Sequence, residues 1–324
     1  MHTISPRGAA SPAPRRRTAA VGIAAIACLA VAACSSSGSS GSSTSSSSAN
    51  PLAPKATGAV VVGSANFPED ELLAQIYVDA LQGKGVKVTP KFNIGAREVY
   101  YPEIEKGAIT IIPEYNGALL TTSVDTTSTA ASTADVNAEL KAKLPSSLEI
   151  LNSSSAEDKD SITVTQATAT KDHLTSISDL APYAKDFVIG GPSEFTTRAD
   201  GLPGLKKIYG LTFKSFSPLD ESGPITISAL QSGKVQAADV FTTTPQIITD
   251  HFVSLADPKN LFAAQNITPL VYKSGVNSTI VSTLNAVSAA LTTNALLQMD
   301  KALTIDHASY TQVASGFLSQ EGLK

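Results

Sequence analysis

Short apolar stretches of strand length alternate with helix-like stretches in two separate blocks of this chain. In the first block, an apolar stretch at residues 59–62 is closed by Gly63, and a helix follows that Pro68 opens and Gly83 ends. Further strands are predicted at 86–92 and 109–112, and in the second block at 187–189, 213–216 and 235–240. Because strands that alternate with helices form parallel sheets covered by helices, the pattern predicts an α/β fold with two lobes. Each lobe is expected to be a mostly parallel sheet flanked by helices.

The two blocks also predict where the chain divides. We assign residues 59–115 and 241–324 to the first lobe and residues 116–240 to the second. The C-terminal part is predicted to contain one long helical stretch at 278–303 and a last helix ending near Leu318.

The first 58 residues predict an export signal followed by a flexible tether. Arg15, Arg16 and Arg17 precede an apolar stretch at 19–33 that is too short to span a bilayer comfortably. The stretch ends in Val-Ala-Ala-Cys at Cys34, which resembles a bacterial lipobox; an ordinary secretory signal is the alternative. We predict a lipoprotein signal peptide at 1–33, lipidation of Cys34, and a serine-rich tether at 34–58. The protein is then extracytoplasmic and anchored to the outer face of the cell membrane.

Composition argues against nucleic-acid binding and against catalysis. Removing the signal takes away four arginines and no acidic residue, so 20 basic residues remain against 28 acidic ones, a net charge of −8. Cys28 and Cys34 are the only cysteines, so the folded part has neither a disulfide nor thiolate chemistry. No metalloprotease, phosphate-loop or nucleophile-elbow motif occurs, and Asp158-x-Asp160 is interpreted as a solvated loop. We predict no enzymatic activity, no cofactor, no metal site and no nucleic-acid partner.

Four loops follow predicted strands at the ends where open α/β sheets bind ligands. They begin at Gly63, Pro113, Gly190 and Phe241, and each combines polar or backbone-exposing residues with an aromatic residue or an arginine. Two facing lobes would close these loops around a small molecule.

Four motifs resemble those of extracytoplasmic glycine betaine/carnitine/choline binding proteins, the substrate-binding lipoproteins of quaternary-amine ABC importers. They are Gly63-Ser64-x-Asn66-Phe67-x-Glu69, Gly95-x-Arg97-Glu98, Pro113-Glu114-Tyr115-x-Gly117, and Glu194-Phe195-x-x-Arg198-x-Asp200-Gly201-Leu202-Pro203-Gly204-Leu205. The motifs occur in order within a similarity that runs from about residue 60 to 323. The resemblance implies a two-lobed, type II periplasmic-binding-protein fold, in agreement with the strand and helix pattern.

The resemblance also implies a set of ligand-binding residues. In that family an aromatic cage holds a trimethylammonium group, which cannot donate a hydrogen bond and therefore suits aromatic faces, and an arginine pairs with a ligand carboxylate. Carried over by position, the implied set is Tyr101, Tyr115, Phe241, Arg198, Ser64, Asn66 and Phe67. Tyr100 is the neighbour of Tyr101, and we expect Tyr101 to face the cleft and Tyr100 the core.

Three departures from the family pattern leave the ligand open. Ile227 occupies the position of a fourth cage residue, Ala65 replaces a frequent lysine, and Thr244 begins a Thr-Pro pair in place of Asp-Gly. Losing one aromatic wall and one lysine weakens the binding of a betaine-like ligand by roughly 2–4 kcal/mol, unless another side chain compensates for the lost contacts.

The predicted function is capture of a quaternary-amine compatible solute, such as glycine betaine, choline or carnitine, by a monomer that delivers it to ABC permease subunits. The alternative keeps the fold but binds a non-betaine small molecule, such as an aromatic compound, as a receptor or scavenger. A surface hydrolase is the third class, and it would require a histidine hydrogen-bonded to a cleft serine.

Overall fold

The computed structural model describes residues 59–324. The predicted signal peptide, the lipidation site Cys34 and the serine-rich tether lie outside the described residues.

The described residues form ten strands and eleven α-helices. The strands are β1 (Val60–Gly63), β2 (Val88–Lys91), β3 (Ile111–Tyr115), β4 (Leu148–Ile150), β5 (Ile162–Thr165), β6 (Val188–Gly191), β7 (Ser215–Pro218), β8 (Ala237–Asp239), β9 (Phe252–Ser254) and β10 (Ile267–Tyr272). The helices are α1 (Pro68–Gly83), α2 (Arg97–Glu105), α3 (Asn116–Leu119), α4 (Thr133–Lys143), α5 (Gln166–Asp172), α6 (Leu202–Tyr209), α7 (Pro224–Gln231), α8 (Gln246–Thr249), α9 (Ser278–Ala290), α10 (Thr293–Thr304) and α11 (Tyr310–Gln320).

The strands form two five-stranded sheets with the same internal arrangement. The first has the order β2-β1-β3-β10-β4 and the second the order β7-β6-β8-β5-β9. In each sheet one strand, β10 or β5, runs antiparallel to both of its neighbours. Both reversed strands are the first to enter their sheet after the chain has crossed from the other one. The prediction of an α/β fold with two sheets flanked by helices is confirmed, and each sheet is mixed, with two parallel and two antiparallel pairings.

The sheets differ from the predicted lobe boundaries at two strands. β4 lies within residues 116–240 but pairs with β10 in the first sheet, and β9 lies beyond residue 240 but pairs with β5 in the second. Both strands are only three residues long, so neither gives a sequence pattern that identifies its sheet. Their partners are distant in sequence, and pairing rather than local pattern decides where they belong.

Two segments connect the sheets and pair with each other. The chain leaves the first sheet through residues 151–161 and returns through residues 255–266. Glu157 and Asn266 form an antiparallel bridge between these segments, and the Asp158 amide donates to the Gln265 carbonyl (3.2 Å). The connection is therefore a short two-stranded ribbon rather than two independent linkers.

Helix α1 begins and ends where the sequence predicts. Pro68 occupies its first turn together with Glu69, Asp70 and Glu71, and acidic groups there favour the helix dipole. Its buried face packs on the first sheet and on α9 and α11. The helix thereby fixes the loop after β1 at the junction of the two sheets.

The long helix predicted at 278–303 is wrong. The structure has two helices there, α9 and α10, that meet at 89°. Thr292 ends the continuity because its hydroxyl accepts from the Ala295 amide and caps the start of α10. Among residues 59–324 no single helix is long and apolar enough to cross a membrane, and only this bent pair reaches that length and composition when taken together.

Candidate ligand-binding cleft

The loops after β1, β3, β6 and β8 meet at the junction of the two sheets, as their positions after the strands predict. They line a gap of about 30 Å³, together with the connecting segments. The lining residues are Ala65, Phe67, Arg97, Tyr100, Tyr115, Ala118, Asp158, Asp160, Arg198, Glu221, Phe241 and Gln265. A second chamber of about 440 Å³ adjoins the gap, and Phe67, Glu221 and Phe241 line both. Side chains therefore fill most of the junction itself, while the larger space lies beside it.

Three of the expected aromatic residues form one cluster. The ring centroids of Phe67 and Phe241 are 5.2 Å apart with an edge-to-face angle of 63°, and those of Phe67 and Tyr115 are 5.8 Å apart. Phe67 follows β1 and Tyr115 is the last residue of β3, both in the first sheet, whereas Phe241 follows β8 of the second. The cluster thus spans the junction, and its rings come from both lobes.

Tyr100, rather than Tyr101, lines the gap. Both side chains are buried, but only Tyr100 is among the lining residues, and its hydroxyl donates to Glu114 Oε1 (2.8 Å). The two residues are adjacent on α2, so they point about 100° apart around the helix. The structure therefore brings Tyr100 to the gap in place of the expected Tyr101, and the buried Glu114 carboxylate holds the Tyr100 hydroxyl there.

Glu114 pairs with a second arginine near the gap, Arg97, to which the family resemblance assigns no ligand contact. The Arg97 guanidinium donates to both Glu114 oxygens, with Nη2 to Oε2 at 2.9 Å and Nε to Oε1 at 3.1 Å. Both side chains are buried, at 8% and 0% exposure. Because each charge is out of water, each depends on the other for compensation. The motif Gly95-x-Arg97-Glu98 was the sequence signal for this residue.

Arg198 reaches the gap but is already paired. Its Nε and Nη2 donate to the two Glu98 oxygens at 3.0 and 3.1 Å, and Nη2 lies 3.8 Å from Glu221 Oε1. Glu98 belongs to α2 beside the first sheet, whereas Arg198 follows β6 of the second. The guanidinium therefore joins the two lobes, and a ligand carboxylate would have to compete with Glu98 for it.

Ser64 and Asn66 do not line the gap. The Ser64 hydroxyl donates to the Ala65 carbonyl (2.9 Å) and accepts from the Asn93 amide (2.8 Å). Asn66 is exposed. These contacts give Ser64 a place in shaping the loop after β1, and they leave Asn66 at the surface.

Buried carboxyl groups surround the aromatic cluster on one side. Glu69 accepts from the Tyr115 hydroxyl (2.5 Å) and from the Thr243 hydroxyl (2.7 Å). Burial and the neighbouring Asp300 carboxylate raise the pKa of Glu69 well above its usual range. Burial likewise raises the pKa of Asp300 to about 7. The pair of carboxyl groups therefore retains a proton at pH values where exposed carboxyls have lost theirs.

The connecting segment contributes the carboxyl group of Asp158, which was expected in a solvated loop. Asp158 is 2% exposed, and its Oδ1 accepts from the Thr243 amide (3.0 Å) and the Thr242 hydroxyl (3.2 Å). Burial, with Glu69 nearby, raises its pKa well above the usual range. The interpretation as a solvated loop is wrong because the returning chain folds over this residue, a contact invisible in the local pattern.

Two of the three residues that depart from the family pattern lie around the larger chamber. Ile227 and Thr244 line it, and Ala65 lines the smaller gap. The chamber wall formed by Ile227 is aliphatic where an aromatic ring was expected. The volume of the larger chamber lies within the usual range of small-molecule sites, roughly 300–1,000 Å³.

Comparison with known families decides how this geometry is to be interpreted. Residues 58–320 match OpuAC, the substrate-binding domain of the ABC-type glycine betaine transport system. This chain belongs to the OpuAC family. Family membership confirms the resemblance drawn from the four motifs. It makes this OpuAC member an extracytoplasmic protein that binds a small-molecule substrate for an ABC transporter, and not an enzyme.

Individual relatives agree with the family assignment. The glycine betaine-binding protein YehZ of Escherichia coli (strain K12) is 28% identical over 281 residues, covering 83% of this chain and 92% of YehZ. The ergothioneine transport permease/ergothioneine binding protein EgtU of Helicobacter pylori (strain G27) is 32% identical over 102 residues, which is 32% of this chain and 18% of EgtU. A crystal structure of a glycine betaine/carnitine/choline ABC transporter matches the fold of this chain with a TM-score of 0.63 at 21% identity, covering 82% of this chain and 99% of that one.

Proposed function

We propose that this protein captures a quaternary-amine compatible solute, of the glycine betaine, choline or carnitine type, between its two lobes. The observation that carries the proposal is the cluster of Phe67, Tyr115 and Phe241, whose rings come from both lobes and meet at their junction. Aromatic faces attract a cation that cannot donate hydrogen bonds. A guest held by rings from both sides favours the conformation in which the lobes are together.

Arg198 is the proposed partner for a ligand carboxylate, through exchange with Glu98. The Glu98 side chain is 45% exposed, so it returns readily to water when it leaves the guanidinium. Arg198 itself is 13% exposed and stays near the gap. The exchange is available to glycine betaine and carnitine, which carry a carboxylate, and not to choline.

Calorimetric titration with glycine betaine, choline and carnitine tests the proposal. Phe241→Ala should weaken binding of the best ligand by about tenfold, since a desolvated cation–π contact contributes on the order of 1–2 kcal/mol. Phe216→Ala is the matched control, because Phe216 is a half-buried phenylalanine of the second lobe that packs on Phe195 outside the cleft. Equal affinities for wild type and Phe241→Ala would remove the ring cluster from the site.

The proposal includes how the protein meets its transporter. We infer that lipid on Cys34 anchors a monomer to the outer face of the membrane, with residues 34–58 as a tether of roughly 25 Å, and that it delivers its solute to ABC permease subunits. Cys34→Ser should move the expressed protein from the detergent phase to the aqueous phase in a detergent partition experiment. Retention of the variant in the detergent phase would contradict the anchor.

A second candidate is the same fold binding a non-betaine, aromatic guest. The adjoining chamber favours it, because Ile227 and Leu303 give that space apolar walls and it is large enough for a ring. The partial identity to EgtU makes ergothioneine a useful member of the panel. Tight binding of ergothioneine or a phenolic compound, with none of glycine betaine, choline or carnitine, would select this candidate.

A further inference from the structure

One buried side chain, Glu69, is connected to all three members of the ring cluster. It lies in the first turn of α1, two residues after Phe67, and is 6% exposed. Its Oε1 accepts from the Tyr115 hydroxyl (2.5 Å) and its Oε2 accepts from the Thr243 hydroxyl (2.7 Å). Thr243 comes two residues after Phe241 in the loop that follows β8. The carboxyl group of Glu69 is therefore bonded to, or lies beside, each chain segment that carries a ring.

The two hydrogen bonds reach Glu69 from different sheets. Tyr115 is the last residue of β3 in the first sheet, whereas Thr243 follows β8 of the second. Both residues are buried, at 6% and 2% exposure, so water does not replace Glu69 as the acceptor of their hydroxyl groups. The Thr243 amide also donates to Asp158 Oδ1 (3.0 Å), which fixes the same loop through its backbone. Glu69 thus holds rings from the two lobes in one arrangement.

The arrangement of the rings decides which ammonium head group the cluster can hold. The attraction between a cation and a ring acts within about 6 Å of the ring centroid. The centroids of Phe67 and Phe241 are 5.2 Å apart, and those of Phe67 and Tyr115 are 5.8 Å apart. Rings held at a fixed spacing penalise a head group larger than trimethylammonium, because such a group must push them apart.

We propose that Glu69 is a positioning residue, which sets the spacing of the three rings through the hydroxyls of Tyr115 and Thr243 and thereby the size of the ammonium head group that the cleft accepts. The inference rests on the proposed capture of a quaternary amine and adds the residue that determines head-group selectivity. Burial and the neighbouring Asp300 raise the pKa of Glu69, which favours its uncharged form. A protonated carboxyl still accepts hydrogen bonds, so the role does not depend on a negative charge.

Calorimetric titration with choline and its N,N,N-triethyl analogue tests the proposal. Wild type should prefer choline by about tenfold or more, because the larger head group disturbs contacts with several rings. Glu69→Gln should keep this preference, since the carboxamide has the same shape and can bond both hydroxyls. In Glu69→Ala the preference should fall below about threefold, since each lost hydrogen bond frees one ring-bearing segment. Glu71→Ala is the matched control, because Glu71 lies in the same helical turn and lines neither the gap nor the chamber.

Variants of the two donors test each connection separately. Tyr115→Phe keeps the ring and removes only its hydroxyl, and Thr243→Val does the same for the threonine with little change of shape. Each should lower the preference for choline by at least about twofold, since one hydrogen bond is lost. Thr243→Ser restores the hydroxyl and should restore the preference. These variants retain Glu69, so they test the proposal even if Glu69→Ala does not fold.

Four results would overturn the positioning role. They are equal binding of the two compounds by wild type, a preference that Glu69→Ala leaves unchanged, one that neither Tyr115→Phe nor Thr243→Val alters, and a loss of preference in Glu69→Gln as large as in Glu69→Ala. The last result would mean that Glu69 acts by its charge.

Crystal structures of the Glu69 variants without ligand separate this proposal from the proposed function. Glu69→Gln should keep the centroid separations of 5.2 and 5.8 Å, and Glu69→Ala should change them beyond coordinate error. Unchanged separations in Glu69→Ala would refute the positioning role. If wild type binds none of glycine betaine, choline and carnitine, the proposed function fails, and these separations still decide whether Glu69 positions the rings.

Discussion

Asp300→Asn should remove a large part of the pH dependence of this protein's stability. Burial raises the pKa of Asp300 to about 7, whereas an aspartate in an unfolded chain has a pKa of about 3.9. Between these two values the folded protein holds a proton that the unfolded chain has released. The free energy of unfolding therefore falls as the pH rises. The contribution is fully present below about pH 4 and is lost as the pH rises through about 7.

The size of the effect follows from the two pKa values. They imply that wild type loses roughly 2–3 kcal/mol of its free energy of unfolding between pH 5 and pH 8 through this group. Burial raises the pKa values of Glu69 and Asp158 in the same direction, so wild type alone does not isolate Asp300. Asparagine keeps the shape of the side chain and does not titrate, and the difference between variant and wild type therefore isolates its contribution.

The assay is urea unfolding followed by circular dichroism at pH 5, 6, 7 and 8. The stability of Asp300→Asn relative to wild type should rise across this series by roughly 2–3 kcal/mol. Asp186→Asn, at a side chain 70% exposed, controls for the loss of one negative charge. If wild type and Asp300→Asn lose stability in parallel from pH 5 to pH 8, the reasoning about the buried carboxyl pair is refuted.

Three further changes test the surrounding structure. Glu114→Gln leaves the buried Arg97 guanidinium without its counter-charge, and we expect the free energy of unfolding to fall by about 3–5 kcal/mol in urea denaturation; a loss below 1 kcal/mol would contradict the pairing. Glu98→Ala removes the partner of Arg198 at a partly exposed site, so the free energy of unfolding should fall by less than about 1 kcal/mol. The same variant should show a larger radius of gyration in small-angle X-ray scattering, because this pair joins the two lobes; an unchanged radius would contradict that role. Gly201→Ala places a Cβ against a backbone carbonyl of the preceding turn and should lower stability by roughly 1–3 kcal/mol in thermal denaturation; an unchanged melting temperature would show that the turn relaxes freely.

The elements that could be predicted from the sequence are those with a strong local pattern. Helix α1 has a proline and three acidic residues at its start and a glycine at its end, and the structure has it over Pro68–Gly83. Helix α6 (Leu202–Tyr209) has the same local signals, a proline in its first turn and a glycine, Gly210, at its end. Strands β4, β5, β9 and β10 were not predicted, because they are short, polar or interrupted by proline and are defined by partners far along the chain.

The parts of the candidate cleft that lie at strand ends could be predicted from motifs. The parts that are built by the segments connecting the two sheets could not. The loops that carry Phe67, Tyr115 and Phe241 end strands of the predicted sheets, and their rings do meet. Asp158 lies on a connecting segment, where local sequence says nothing about the chain that returns over it. Tyr101 was expected to face the cleft, but its neighbour Tyr100 lines the gap, because its hydroxyl donates to the buried Glu114 carboxylate on β3.

The charges at the junction explain how the pocket could hold a cation although Ile227 supplies no aromatic ring. The two arginines of the gap are each balanced by carboxylates, Arg97 by Glu114 and Arg198 by Glu98. Burial and the repulsion of neighbouring carboxylates raise the pKa values of Glu69 and Asp158, so these two side chains keep their protons to higher pH than exposed carboxyls do. A cationic guest relieves that repulsion, so its binding and the release of protons are linked and each favours the other. Affinity for a cation should then rise with pH, a dependence that an aromatic cage acting alone would not produce.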